Sequence, residues 1–413
     1  MERLTRNMLY LGAANVVSSV FGVIMMIYLA RTLMPQGLGH IAYAISIVTY
    51  LSGFVDLGLS TYGVREVARN PASVSEYVSN IVSIRLIAAA ALVLILVLIT
   101  VLSDQPYKLK ILMIETGLML FMTALATEWA YQGLEKMNMV FISLAATSIL
   151  QMFMIFTLVK GSEDMLRVPL IYFLGAAPII ILFLKKLGCR FKIASPDTRR
   201  IKIYLSSSLI IWAIAMFAQV YNNLDIFILG LFRQAEEVGY FALARRVVGG
   251  ITILIVFLSN ALLPRLSAAF NKDDDEFERS THKFLVFSAC LTFFVIIPAL
   301  FFTKDLIRFT VGTSYSSAAL PLNIMLGGVI LVLFNLPYST GLIASHLEKE
   351  VLKQVIASAL LSLSLNFILI PRYGMLGSSV SFLMAEALAL VWVLHIYKTK
   401  RLKVSLIKKG GGK

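Results

Sequence analysis

The chain has 413 residues, of which 59% are hydrophobic and 15% charged, with a mean hydropathy of +0.84 and a net charge of +14. Soluble domains hold about a quarter charged residues, so this composition excludes a water-soluble globular protein. Two cysteines, Cys189 and Cys290, and four scattered histidines argue against a disulfide framework or a metal cluster.

In chain order, the first apolar run, 7–30, follows Arg3 and Arg6 and is too long for a signal-peptide core, so it reads as a retained helix. Runs long enough to span a bilayer follow at 38–59, 80–102, 109–131, 138–159 and 168–185. A polar stretch with Arg190, Lys192, Pro196, Arg199, Arg200 and Lys202 then divides the chain nearly in half. Beyond it the pattern repeats at 204–231, 238–262, 283–303, 319–344, 351–370 and 375–397.

An ungapped shift of 200 residues superposes Gly39 on Gly239, Ala42 on Ala242, Ala44 on Ala244 and Arg65 on Arg265. Six helices return the chain to its starting side, so the halves are expected to be parallel repeats about an axis along the membrane normal. The expected fold is all-α and integral to the membrane, with about twelve transmembrane helices in two parallel six-helix lobes around a central cleft. The predicted boundaries are an N-terminal lobe over 1–186, a cytoplasmic linker over 187–203, a C-terminal lobe over 204–398 and a basic tail over 399–413.

With both termini placed in the cytoplasm, 25 of the 37 lysines and arginines fall on the cytoplasmic side and nine on the outer side. The excess follows the positive-inside rule, which attributes the basic charge to topology and anionic lipid rather than to nucleic acid. Arg85, Arg245 and Arg246 lie within spans, where an unpaired cation is costly unless it meets water or a partner, and are functional candidates. The competing reading for Arg85 is a nearby carboxylate or a snorkelling path to the interface. Asp225 with Asn222 and Asn223 forms the most polar patch inside a span, suited to exchanging a proton or holding sodium, or simply to packing the helices. Asp56 and Glu128, near cytoplasmic span ends, are expected in gate-type salt bridges, and Trp129 and Trp392 read as members of the interfacial aromatic belt.

Seven segments carry a family likeness in a fixed order: LARTLMPQGLGHIAYA (29–44), DLGLSTYGVREVAR (56–69), EWAYQGLEKM (128–137), NNLDIFILG (222–230), GYFALARRVVG (239–249), LLPRLSAAF (262–270) and NFILIPRYGMLGSS (366–379). With these, the chain resembles the polysaccharide and O-antigen flippases of the multidrug, oligosaccharidyl-lipid and polysaccharide exporter superfamily over its whole length. The resemblance implies a non-enzymatic carrier in the cell membrane that moves an undecaprenyl-pyrophosphate-linked oligosaccharide from the cytoplasmic to the outer leaflet by alternating access.

On that reading the planar guanidinium groups of Arg246, Arg245, Arg85 and Arg31 would grip pyrophosphate oxygens bidentately, with Arg246 favoured over its neighbour. Arg31, at an outer span end, serves equally well as an interfacial anchor. Asp225, Asn222, Asp56 and Glu128 would serve coupling or gating. No cofactor is expected, with coupling to a proton or sodium gradient left open. The expected partners are the lipid-linked substrate, membrane lipids, and a glycan polymerase or glycosyltransferases. Two alternatives stand beside this: an ion-coupled multidrug exporter of the same superfamily, and a polytopic glycosyltransferase or polymerase.

Overall fold

The computed structural model describes residues 2–187, 198–272 and 274–401, so most of the expected linker and nearly all of the expected tail lie outside the described residues. Helix α1 (Glu2–Asp56) carries the first two apolar runs in one element, interrupted where the backbone leaves helical geometry at Met34 (φ 61°, ψ 171°), directly before Pro35. The proline ring disfavours helical geometry at the residue before it, which favours a break there, although Pro178, Pro264 and Pro337 lie inside helices that continue. A second reversal, at Leu57 (φ 48°) and Gly58 (φ 73°), leads into α2 (Leu59–Arg69). Leu59, Tyr62 and Val67 bury the apolar side of α2, while Arg65 and Arg69 both pair with Glu66, at 3.0 and 3.3 Å.

The third apolar run forms α3 (Val74–Leu102). The fourth is split into α4 (Tyr107–Gly117), α5 (Met119–Leu125) and α6 (Glu128–Gly133). Next come α7 (Met137–Leu158) and α8 (Arg167–Lys186), and the Tyr28 hydroxyl ties α1 to the end of α7 by donating to the Val159 carbonyl at 2.7 Å. The rest of the chain supplies α9 (Thr198–Phe232), α10 (Ala235–Lys272), α11 (Asp274–Leu291), α12 (Ile297–Thr310), α13 (Ala319–Ala344) and α14 (Glu348–Ile396), with a π-helical turn over Thr292–Ile296 joining α11 to α12.

Nine helical segments among the described residues are long and apolar enough to cross a membrane, which makes this a multi-pass membrane protein. Two of them, Gly12–Arg69 and Glu348–Thr399, hold 58 and 52 residues, far more than the roughly 20 that one crossing needs. Each is interrupted by a non-helical residue, Met34 in the first and Gly374 in the second, and so supplies two crossings. Together with α9 and its apolar Lys202–Phe217 stretch, the arrangement is consistent with twelve.

By internal packing the chain divides into two compact units, Met1–Phe227 and Ile228–Lys413, so the division falls inside α9. In the first unit Tyr204 of α9 joins the core of Leu59, Tyr62, Val67, Ile81 and Trp129.

Two joints of the expected repeat fold alike. After α6, Glu135 (φ 56°) donates its N–H to Gln132 O, and the Lys136 N–H reaches Tyr131 O, both at 2.9 Å. After α13, His346 (φ 59°) donates to Ile343 O at 3.1 Å, and the Leu347 N–H reaches Leu342 O at 2.9 Å. Both are the paired cap that satisfies the last carbonyls of a helix through one left-handed residue. The Leu57–Gly58 reversal has no such counterpart, because α10 stays helical through positions 257 and 258.

The second unit contains a polar clamp. Arg233 donates to the Ile370 and Pro371 carbonyls at 3.2 and 3.1 Å, and Glu237 accepts the Met375 N–H at 3.3 Å, closing around Gly374 (φ 57°). A Cβ on Gly374 would overlap the Glu237 carboxylate. Gly374→Ala is therefore expected to cost about 1–3 kcal/mol in backbone strain alone and to loosen α10 from α14. A melting temperature in detergent equal to that of the parent would contradict the clamp.

Candidate functional site

In the first unit, three of the predicted residues come together. Arg85 projects from α3, on the face where Ile81, Val82 and Ala89 are also buried, and is 1% exposed. It pairs with Asp56 at the end of α1, donating through Nη2 to Asp56 Oδ1 and to Ser60 Oγ, and through Nη1 to the Ala126 carbonyl at 3.3 Å. That carbonyl is available because Ala126 caps the end of α5, and its extended backbone (ψ 127°) points it away from the helix. Arg85 Nε has no hydrogen-bond partner among the described residues.

Asp56 Oδ1 also accepts the Ser60 hydroxyl at 2.6 Å and the Ser60 N–H at 3.3 Å, so these bonds converge on one carboxylate oxygen, and Oδ2 has no hydrogen-bond partner among the described residues. Trp129 sits against the guanidinium, 5.9 Å from ring centroid to Cζ. The belt position expected for Trp129 is corrected: it is 4% exposed, and its Nε1 donates to the same Ala126 carbonyl at 3.1 Å. Burial of its ring against Arg85, rather than the membrane interface, fixes it.

Glu128 opens α6, and its Oε1 accepts the Ser143 hydroxyl at 3.1 Å. Asp56, Arg85 and Glu128 all line one cavity of about 520 Å³. Its remaining polar wall includes Ser52, Thr61, Thr123, Gln132 and Gln219, and Trp212 of α9 forms one side. Trp212 is oriented by an Nε1 bond to the Gly53 carbonyl at 3.0 Å, and Gln219 donates to the Thr49 carbonyl. A second cavity of about 200 Å³ shares Ser52 and Thr123 and continues to Gln151 and Tyr172. The titratable lining of the larger cavity is two carboxylates against one guanidinium that is already paired.

The other candidates lie elsewhere. Arg245 and Arg246 are on α10 in the second unit; Arg245 is half-buried with its Cζ 5.4 Å from the Phe382 ring centroid, and Arg246 is exposed. Arg31 is exposed on α1, three residues before the break at Met34. Asp225 is 9% exposed on α9 and accepts the Ile226 N–H at 2.8 Å, while the Asn222 side chain lies outside the described residues. Sequence reasoning missed Ser60, Trp212 and Gln219. Ser60 follows Asp56 by four residues, and Gln219 is an uncharged polar residue inside an apolar run, so both carried a readable signal.

The capsular polysaccharide biosynthesis protein CapF of Staphylococcus aureus is 22% identical, over 96% of this chain and 99% of that protein. A protein named for O-antigen transport in Shigella dysenteriae is 22% identical, over 96% of this chain and all of that protein. Among solved structures, the lipid II flippase MurJ in an inward closed conformation superposes with a TM-score of 0.73 at 14% identity, covering 95% of this chain and 88% of that one, which shows a shared fold. A MatE model matches residues 210–368. The model for polysaccharide biosynthesis proteins runs over residues 4–270, taking in the whole Asp56–Arg85–Glu128 cavity, and on that match the chain belongs to the polysaccharide biosynthesis protein family.

Proposed function

We propose that this protein is a flippase that carries a polyprenyl-pyrophosphate-linked oligosaccharide from the cytoplasmic to the outer leaflet of the cell membrane, with both termini in the cytoplasm, for cell-surface polysaccharide synthesis. The observation that carries the reading is Arg246, exposed inside the apolar Ala235–Ile255 segment of α10. A guanidinium exposed at membrane depth requires water or an anion, and a pyrophosphate crossing the bilayer requires fixed cations in place of its water. Names of the relatives point the same way, since they belong to capsular polysaccharide synthesis and O-antigen transport.

In this reading Arg246, Arg245 and Arg31 serve the pyrophosphate, Asp225 and Asn222 serve coupling to a proton or sodium gradient, and a glycan polymerase or glycosyltransferases act alongside. The two lobes, bounded by the 187–203 linker, rock about the substrate. The carboxylate-lined cavity beside Trp212 favours a second reading, an exporter of cationic amphiphiles.

The deciding experiment reconstitutes the full chain in vesicles with a fluorescently labelled undecaprenyl-pyrophosphate oligosaccharide and follows its transbilayer movement. The parent is expected to move it, and Arg246→Ala to do so roughly tenfold more slowly, a loss of about 1.4 kcal/mol of barrier lowering. A parent that leaves the label in its original leaflet sinks the flippase reading. Parental rates in Arg246→Ala remove that arginine from it.

A further inference from the structure

We infer that the 520 Å³ cavity of the first unit is a saccharide subsite, receiving a sugar ring of the lipid-linked glycan while the pyrophosphate is held elsewhere. The inference rests on the flippase reading and deepens it.

Charge decides against phosphate here. Arg85 is 1% exposed and its positive charge is directed at Asp56, so the groups presented to the cavity are the partly exposed Asp56 and Glu128 carboxylates. An anion entering would meet net negative charge in a partly dehydrated site. Hydroxyl donors fit instead. The fold fixes Asp56 Oδ1 through Arg85 and Ser60, and Glu128 Oε1 through Ser143, leaving the second oxygen of each carboxylate as an acceptor of set direction. Hydrogen bonds to an ionised acceptor are about twice as strong as neutral ones, and pre-orientation reduces the entropy lost on binding.

Trp212 supplies a broad apolar plate for the C–H face of a sugar ring, and its Nε1 bond to Gly53 holds that plate in place. Gln132, Ser52 and Thr61 add neutral donors and acceptors. The volume lies within the range of about 300–1,000 Å³ typical of small-molecule sites. The neighbouring 200 Å³ cavity, which shares Ser52 and Thr123 in its lining, offers room for a substituent or a second ring.

The test uses the purified full chain in nanodiscs and two probes, undecaprenyl pyrophosphate and the same carrier bearing one N-acetylglucosamine or one galactose. Dissociation constants are measured for the parent, Trp212→Ala and the near-isosteric Glu128→Gln. Expected results are at least threefold tighter binding of a glycosylated carrier than of the bare one by the parent, and loss of that increment in both variants. If the bare carrier binds and neither sugar adds affinity, or if Glu128→Gln keeps the full increment, the subsite is overturned while the flippase reading stands. If neither carrier binds but tetraphenylphosphonium does, both are overturned and the cavity is a cation site.

Discussion

Asp56→Ala is expected to deplete folded protein severely, and Asp56→Leu combined with Arg85→Met to restore it. The guanidinium is 1% exposed and cannot shed its proton, so removal of Asp56 strands a buried cation with Ser60 and the Ala126 carbonyl as its remaining hydrogen-bond partners. Breaking a buried ion pair from one side costs about 3–5 kcal/mol, whereas replacing both members by apolar groups of similar volume is often neutral. Arg85→Met alone is expected to be milder, because the Asp56 side chain is 30% exposed and retains Ser60. Size-exclusion profiles and melting temperatures in detergent read all three. A single Asp56→Ala variant that melts with the parent would show that the pair contributes little to the fold.

The asymmetry also separates scaffold from site. The double variant keeps the core but lacks the Asp56 acceptor, so it is expected to fold while losing sugar-dependent affinity. Scaffold and ligand roles are thereby measured on one protein.

The crossings were legible because bilayer thickness dictates them: each must present about 20 apolar residues, and that constraint is local. The break at Met34 was legible only in part, since Pro35 disfavours helical geometry in its predecessor, yet Pro178, Pro264 and Pro337 sit inside helices that continue. Less could be read where the cause is tertiary. The split between α5 and α6 falls at Ala126 and Thr127, with neither proline nor glycine to mark it, and the exposed carbonyl there serves Arg85, 41 residues away, as well as Trp129. Arg85 and Asp56 are 29 residues apart on different helices, beyond the three- or four-residue spacing by which a sequence announces a helical pair. Composition thus marked both charges as notable and left their partnership to the fold.

The internal repeat was legible in part for the same reason. Its joints after α6 and α13 share one cap geometry, although Glu135 occupies the left-handed position in one and His346 in the other. The shift of 200 residues aligns Leu57 and Gly58 with positions inside unbroken α10. Only the first half turns there, and that turn is what brings Asp56 and Ser60 to Arg85.

Gly58→Ala tests that turn and is expected to have the second large effect. Gly58 has φ 73°, which an alanine adopts only at a cost of about 1–3 kcal/mol. A Cβ at this position would also lie 2.6 Å from the Ser208 carbonyl oxygen and 2.8 Å from the Trp212 nitrogen. Both are backbone atoms of α9, so no side-chain rotation relieves the overlap and the helix itself must move away. That movement takes Trp212 from its bond to Gly53 and opens the cavity wall, and it is expected to lower the melting temperature and red-shift the tryptophan emission. Gly249→Ala is the matched control: it is helical, a Cβ there meets nothing within 4 Å, and alanine is expected to gain about 0.5–1 kcal/mol. Equal melting temperatures for Gly58→Ala and the parent would mean that α9 does not approach the turn this closely, and the placement of Trp212 would fall with it.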